Sequence, residues 1–299
     1  MKVLVLAGDG MLGHKMFLEL SKEFDTFCTI RGDKHYSPLK KFDVSLDRVI
    51  DSTNLSDFDS LRYLLDGYRP DVVVNCAGIL KQRKNATNDY IQNLTINALL
   101  PHQIADNLDK FGGKLITFSS DCVFNGGSEH NYNETSKPDA DSLYGKTKHL
   151  GEVANKENTL TIRTSMIGRE IKGFYSLLEW FLRQTDPVGG YIHAYYSGVT
   201  TNYLARYTST LINEFPDLNG LYNLTSDHYI SKYMLLLKLR RAYGLPMSIN
   251  PDTSFMPDKI CFRNMECAKL QHDIRFTPPN WDYLLDDLVN DLTPYERVS

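Results

Sequence analysis

An α/β fold built on a doubly wound parallel sheet is the architecture this chain predicts. Three observations carry that expectation. Short apolar runs rich in β-branched residues alternate with amphipathic runs through the first half, the pattern of repeated strand–helix–strand units. The first run flows directly into a glycine turn, Gly8-Asp9-Gly10-Met11-Leu12-Gly13. Two later runs end in small or hydroxyl-bearing residues, Asn75-Cys76-Ala77-Gly78 and Ser119-Ser120, as strands do where they open onto a ligand crevice.

Composition sets the outer bounds. A chain of 299 residues with 42% hydrophobic content can bury a substantial core. A net charge of -4 leaves no basic footprint, so nucleic acid is not an expected partner. The N-terminal apolar run is too short to span a membrane and leads into a turn rather than a cleavage site, so it reads as a first strand and no membrane partner is expected. Five cysteines (Cys28, Cys76, Cys122, Cys261, Cys267) are spread widely, without a C-x-x-C pair or zinc spacing. That usage predicts reduced thiols in the cytoplasm and no metal site.

Lys2 to Ala7 suits a strand buried on both faces, and Met16 to Leu20 belongs to the helix after the turn. Glycines between a strand and a helix allow a tight bend and close approach of backbone to a diphosphate, whose charge sits at the helix N-terminus. Gly8, Gly10, Met11, Leu12 and Gly13 are therefore expected to hold a dinucleotide. The second strand, Thr26 to Ile30, ends at Arg31 where an acidic ribose-binding residue is usual. A guanidinium there can clasp a 2′-phosphate, which favours NADPH, with NADH as the alternative; a surface arginine would look the same.

Val49-Ile50-Asp51 reads as a strand end before a helix over Ser52 to Leu65, with Asp51 placed either to contact adenine or to cap that helix. Asp71 to Gly78 is a central strand whose small terminal residues Cys76, Ala77 and Gly78 let a cofactor lie close. A helix over Thr87 to Leu108 carries Asn97, either a buried amide bonded to backbone or a support for a catalytic lysine. Lys114 to Ser120 is the next strand, and it places Ser119 or Ser120 beside the cofactor. A loop from Asp121 to Pro138 then leads to Tyr144-Gly145-Lys146-Thr147-Lys148. On a helix, Tyr144 and Lys148 share one face. A neighbouring cation favours phenolate, so Lys148 is expected to lower the Tyr144 pKa and fit it for proton exchange; a solvated helix face is the plain alternative.

Together these segments resemble the extended short-chain dehydrogenase/reductases, and more narrowly the dTDP-4-dehydrorhamnose reductase group of sugar-nucleotide reductases. The resemblance rests on Ala7 to Gly13, Asn75 to Gly78, Ser119-Ser120-Asp121-Cys122-Val123-Phe124-Asn125-Gly126, Tyr144 to Lys148, and Arg163-Thr164-Ser165, and it covers nearly the whole chain. It implies a Rossmann-type domain with a smaller substrate domain, and Ser120, Tyr144 and Lys148 as the catalytic trio. Ala7 stands where the family's first glycine falls. Cys122 replaces the aromatic that often follows the Ser/Thr-Asp pair, and in this it is similar to the GDP-fucose synthase group. A thiol there either shuttles a proton during epimerisation, with His193 or Lys172 as its basic partner, or fills space.

In the second half, Leu160 to Ser165 is a sixth strand, and the resemblance implies a backbone contact to the nicotinamide amide from Ser165 or Met166. Phe174 to Leu182 is an aromatic helical run, expected to pack in the core or against a second subunit rather than on sugar. The resemblance makes Tyr195 to Asn202 a substrate loop, with Gly198 and Thr200 as contacts, although the group often has Pro where Thr200 stands. Gly220 to Thr225 reads as a strand returning to the sheet, Ser231 to Tyr243 and Trp281 to Leu292 as helices. Arg263 is placed either on a substrate diphosphate or in a structural ion pair. The expected division is a cofactor domain over 1–165, with 198–229 returning to it, and a substrate domain over 166–197 and 230–299.

The resulting expectation is an NADPH-dependent reductase of a nucleotide-linked 4-keto-6-deoxy sugar in deoxysugar or surface-polysaccharide biosynthesis. Substrate contacts would come from Ser120, Asp121, Cys122, Tyr144, Gly198, Thr200 and Arg263, and a homodimer is expected from family habit. A bifunctional 3,5-epimerase/4-reductase using Cys122 and a non-catalytic NADP-binding regulatory subunit are the alternatives.

Overall fold

The computed structural model describes residues 1–42, 44–79, 89–254 and 260–295. Its first half alternates β1 (Lys2–Leu6), α1 (Met11–Leu20), β2 (Asp25–Thr29), β3 (Val49–Ile50), α2 (Phe58–Tyr68) and β4 (Val72–Asn75). One nearly continuous helix follows as α3 (Tyr90–Asn93), a wide π turn (Leu94–Leu99) and α4 (Leu100–Asp109); then come β5 (Lys114–Ser119), α5 (Leu143–Leu150) and β6 (Thr159–Arg163). Seven parallel strands join in the order β3-β2-β1-β4-β5-β6 with β11 (Gly220–Asn223) outermost. The direction of winding reverses between β1 and β4, which opens a crevice at their carboxyl ends.

The apolar runs lack polar alternation because both sheet faces are covered. Val3, Val5, Val72 and Val74 point into one core beneath α1, while Leu4, Leu6, Val73 and Leu115 point into the other against Leu61, Leu65 and Ile104 of the opposite helices. Each such side chain contributes about 1.5–3 kcal/mol by leaving water, so interior burial on both sides is what selects strand over helix here.

Several boundaries differ from the sequence expectation. The helix expected from Ser52 begins only at Phe58, because Ser52 takes a left-handed φ of 52° and the Asp57 carboxylate accepts from Asp59 N and Ser60 N. Thr87 and Asn88, where the next helix was expected to start, lie outside the described residues. Its π turn ends where Pro101 has no N–H for the carbonyl of Asn97.

The remaining chain contributes β7 (Met166–Ile167), α6 (Leu177–Leu182), β8 (Val188–Tyr191), β9 (Ala194–Tyr196), β10 (Val199–Thr200) and α7 (Thr201–Glu214), then β11 and β12 (Ile230–Ser231). It ends with α8 (Lys232–Tyr243), β13 (Ile249–Asp252), β14 (Cys261–Arg263), α9 (Ala268–Ile274) and α10 (Trp281–Val289). The short strands pair as β10-β7, β12-β9-β14 and β13-β8, apart from the large sheet. α7 packs on α1 and α10 on α8, which joins this half to the first core. In the aromatic run, Leu178 and Phe181 are fully buried while Tyr175 and Trp180 stay exposed. No helix among the described residues is long and apolar enough to cross a membrane.

Candidate active site

The glycine turn after β1 is built by backbone fit. Gly8 N donates to Thr29 O (2.8 Å), and Gly10 N closes the bend on Ala7 O (3.0 Å). A Cβ on Gly8 would lie 2.5 Å from Cys28 Cβ, and one on Gly13 would lie 2.0 Å from Ala7 O, so the turn tolerates neither. Ala7 itself takes a left-handed φ of 58°, the conformation that glycine adopts without strain. Gly10 is the N-cap of α1 and has no side chain with which to cap the first-turn N–H groups of Met11, Leu12 and Gly13. Such a helix end accommodates an anion, and bare backbone suits a diphosphate.

Around it stand the other expected cofactor residues. Cys76, Ala77 and Gly78 are half-buried at the end of β4, and Arg31 is exposed at the end of β2. Asp51 does not cap α2, since Asp57 does; its carboxylate accepts from Lys34 N (3.3 Å). Ser165, half-buried beyond β6, offers its carbonyl to Val199 N (2.9 Å).

The hydroxyl and the phenol come together at the end of β5. Ser120 caps a one-turn helix, accepting from Cys122 N (3.1 Å) and donating to the buried Asp121 carboxylate (3.1 Å). Its hydroxyl also lies close enough to the Tyr144 phenol to favour the phenolate. Ser119 is held elsewhere, donating to Glu152 Oε1 (2.7 Å), so Ser120 is the hydroxyl beside Tyr144. Ser142 caps α5 through Gly145 N (3.1 Å), and that start puts Tyr144 in its first turn and Lys148 in its last. A Cβ on Gly145 would lie 2.1 Å from Cys122 O, which is how the helix packs directly against the Ser120 turn.

Lys148 is buried and donates to Phe118 O (2.5 Å). Burial brings its ammonium down to about 8, with Glu152 acting in the opposite sense. The expected lowering of the phenol is not met. Burial pushes the Tyr144 pKa up, charge on Cys122 and Asp121 adds to the rise, and the Ser120 bond offsets only part of it. The reason is that desolvation of the phenolate dominates, while the Lys148 ammonium is engaged on a strand carbonyl.

Glu152, four residues after Lys148, was not singled out from the sequence. It accepts from Arg163 Nε (2.6 Å) and Nη2 (2.7 Å), from Ser119, and pairs with His149 Nδ1 at 3.0 Å. Burial raises its carboxyl, but these bonds outweigh burial and hold it below the usual range. The pair ties the ends of β5 and β6 to the end of α5. The sequence signal was an acid one turn beyond Lys148 and an arginine at a strand end, each ordinary alone. Asn97 proves to be the buried amide: it accepts from Ile79 N (2.9 Å), donates to Ile79 O (3.2 Å) and reaches Thr147 Oγ1 (3.3 Å), beside Lys148 in sequence.

Three substrate-side expectations are revised. Thr200 is fully buried, and its hydroxyl caps α7 by accepting from Tyr203 N (3.2 Å). Gly198 is buried because a Cβ would lie 2.5 Å from Ser165 O. The Thr200 hydroxyl is thus engaged as a helix cap, and Gly198 stands at a close approach of two backbones. Lys172, one of the two bases expected for Cys122, bonds Asp9 instead; Arg263 Nη1 donates to Cys122 Sγ (3.7 Å) while its Nε donates to Phe124 O (2.9 Å). Arg263 thus stands at the Ser120–Cys122 turn. All five cysteines are free thiols, and no cluster of His, Cys, Asp and Glu among the described residues could hold a metal ion.

Residues 1–293 match the family model described as the RmlD substrate binding domain. The dTDP-4-dehydrorhamnose reductase of Escherichia coli K12 is 25% identical over 241 residues, which are 75% of this chain and 80% of that protein. Methionine adenosyltransferase 2 subunit beta of Xenopus tropicalis is 25% identical over 208 residues, or 65% of this chain, and the chain spans only 61% of that relative's length. The Bacillus anthracis dTDP-4-dehydrorhamnose reductase structure in complex with NADP superposes with a TM-score of 0.78 at 19% identity, covering 96% of this chain and 98% of that one. With the glycine turn, the doubly wound sheet and a match of this extent, the chain belongs to the RmlD substrate-binding-domain family.

Proposed function

We propose that this protein is an NADPH-dependent reductase of a nucleotide-linked 4-keto-6-deoxy sugar. The observation that carries the reading is the convergence of Ser120 and Tyr144 at the end of β5, with Lys148 one helical turn on. The E. coli relative's named activity and the B. anthracis relative's NADP complex support the substrate class and the cofactor. Arg31, exposed at the end of β2, supports NADPH over NADH through its fit to a 2′-phosphate. We assign 1–165 and 198–229 to the cofactor domain, and 166–197 and 230–299 to the substrate domain.

The cradle at Gly8, Gly10 and Gly13 fits the diphosphate of such a cofactor, which when bound supplies hydride to the keto carbon. Ser120 donates a hydrogen bond to the carbonyl oxygen and orients it. Tyr144 then gives its proton to the developing alkoxide. A raised phenol pKa suits this direction, because the acid stays protonated until the oxygen becomes strongly basic. Lys148 steadies the charge left on the phenol and holds ribose hydroxyls. Asp121, Cys122 and Arg263 line the sugar side of the turn.

The test is NADPH oxidation against a panel of 4-keto-6-deoxy nucleotide sugars, with products identified by NMR. Tyr144→Phe should cost at least ~100-fold in single-turnover rate. An unchanged rate removes Tyr144 as the acid. A second reading, a non-catalytic subunit, is favoured by the match to the Xenopus beta subunit. Tight NADPH binding without turnover of any sugar in the panel would select it.

A further inference from the structure

The acid inside the glycine turn poses an electrostatic problem. Asp9 sits between Gly8 and Gly10, only 9% exposed, next to the helix end that the proposed function assigns to a diphosphate. Two anions at such short range, partly shielded from water, repel. The structure answers with a cation brought from 163 residues away: Lys172 Nζ donates to Asp9 Oδ2.

Its delivery is built into the segment after β7. On one shoulder, Arg169 Nε donates to Glu179 Oε1 (2.6 Å) and Glu170 N to the same carboxylate (3.0 Å). On the other, Ser176 N donates to Glu170 Oε2 (2.9 Å), and Phe174, with a left-handed φ of 54°, packs under the Arg183 guanidinium at 3.8 Å from the ring centroid. Gly173, at φ 88°, supplies the reversal between them. The loop crest is thereby fixed over the turn. The Lys172 side chain remains 45% exposed while that of Asp9 is 12% exposed, and an ammonium has three donors, of which Asp9 takes one.

We propose that Lys172 is a diphosphate-binding residue of the dinucleotide site: its ammonium neutralises Asp9 and turns its remaining donors to the diphosphate at the N-terminus of α1. The inference rests on the dinucleotide reading above and adds a residue from outside the turn. It makes the 169–176 segment the second wall of that site. It also gives Lys172 a role other than the basic partner of Cys122 that the sequence suggested.

Isothermal titration of the full-length protein with NADP+, ADP-ribose and adenosine 2′-monophosphate tests it, because only the first two carry a diphosphate. Lys172→Met should weaken NADP+ and ADP-ribose about ten-fold or more, the scale of one charge-assisted phosphate contact, and change adenosine 2′-monophosphate less than about two-fold. Adding Asp9→Asn to Lys172→Met should recover part of the loss, since the uncompensated carboxylate is then gone. Circular dichroism melting identifies a variant that has failed to fold; for such a variant Lys172→Gln replaces methionine under the same criteria. Equal binding by wild type and variant, or equal weakening for all three ligands, overturns the proposal alone. Wild-type protein that binds none of the three overturns the dinucleotide reading beneath it.

Discussion

Replacing Glu152 with glutamine removes one charge from a pair that has no other means of compensation. The two side chains are 4% and 2% exposed, and the carboxylate takes two Arg163 bonds of 2.6 and 2.7 Å. Arg163 Nη1 already lacks a hydrogen-bond partner, and the guanidinium lies 5.3 Å from the Phe124 ring centroid, so no second acceptor stands ready. Breaking a buried pair on one side costs about 3–5 kcal/mol. At ~2.1 cal/mol/K per residue over 299 residues, the unfolding entropy is about 0.6 kcal/mol/K, so the melting temperature should fall by roughly 5–8 °C. Differential scanning calorimetry of Glu152→Gln and of Glu152→Leu/Arg163→Met measures both. The double variant should lie closer to wild type than the single one, because apolar packing then replaces an orphaned charge. A single-variant loss under about 1 kcal/mol, or losses that simply add in the double variant, would refute the reasoning.

Gly13→Ala should abolish measurable dinucleotide binding in a fluorescence titration and destabilise the fold by about 1–3 kcal/mol, since its Cβ would stand 2.0 Å from Ala7 O and α1 must shift. Ala7→Gly should be stabilising by up to ~1 kcal/mol in urea unfolding, because glycine occupies a φ of 58° without strain. His14 is held neutral: Nδ1 lies 2.8 Å from Gly10 O and so donates, leaving Nε2 to accept from Tyr295 at 2.8 Å, and burial brings the imidazole down to about 4. Its folded pKa lies below its unfolded one, so the stabilisation is complete above about pH 6.5 and is lost as pH falls toward 4. The loss should reach about 3 kcal/mol and show in melts from pH 7 to 4. Because burial brings Lys148 to about 8, kcat/KM of the free enzyme should decline as pH rises through that value, and a profile flat to pH 10 would contradict its role as an ammonium.

Local chemistry made much of the fold legible. A β-branched run needs two apolar faces, Gly8, Gly10 and Gly13 mark places where a Cβ collides, and a Tyr and Lys four apart meet on one helix face; each is decided within a few residues. The strand end left Ser119 and Ser120 equally eligible, and the fold separates them: Ser119 is held on Glu152 while Ser120 lies beside Tyr144. The helix starts at Phe58 and Leu177 were misplaced because Asp57 and Ser176 compete with earlier caps through bonds that depend on the bend of the chain before them.

What the sequence by itself determined was the strand periodicity, the glycine turn and the placing of Tyr144 and Lys148 on one helix face, because these follow from side-chain size and spacing along one short segment. Tertiary structure alone decided which charges face one another. Lys172 bonds Asp9 rather than Cys122, Arg263 faces Cys122, Arg163 closes on Glu152, and Thr200 turns inward as a cap. It also reversed the sign expected for Tyr144, since proximity to Lys148 along a helix is local while desolvation depends on everything packed around the phenol. Electrostatic partners separated by tens to hundreds of residues are set by how the strands cross over, and no local pattern encodes that distance.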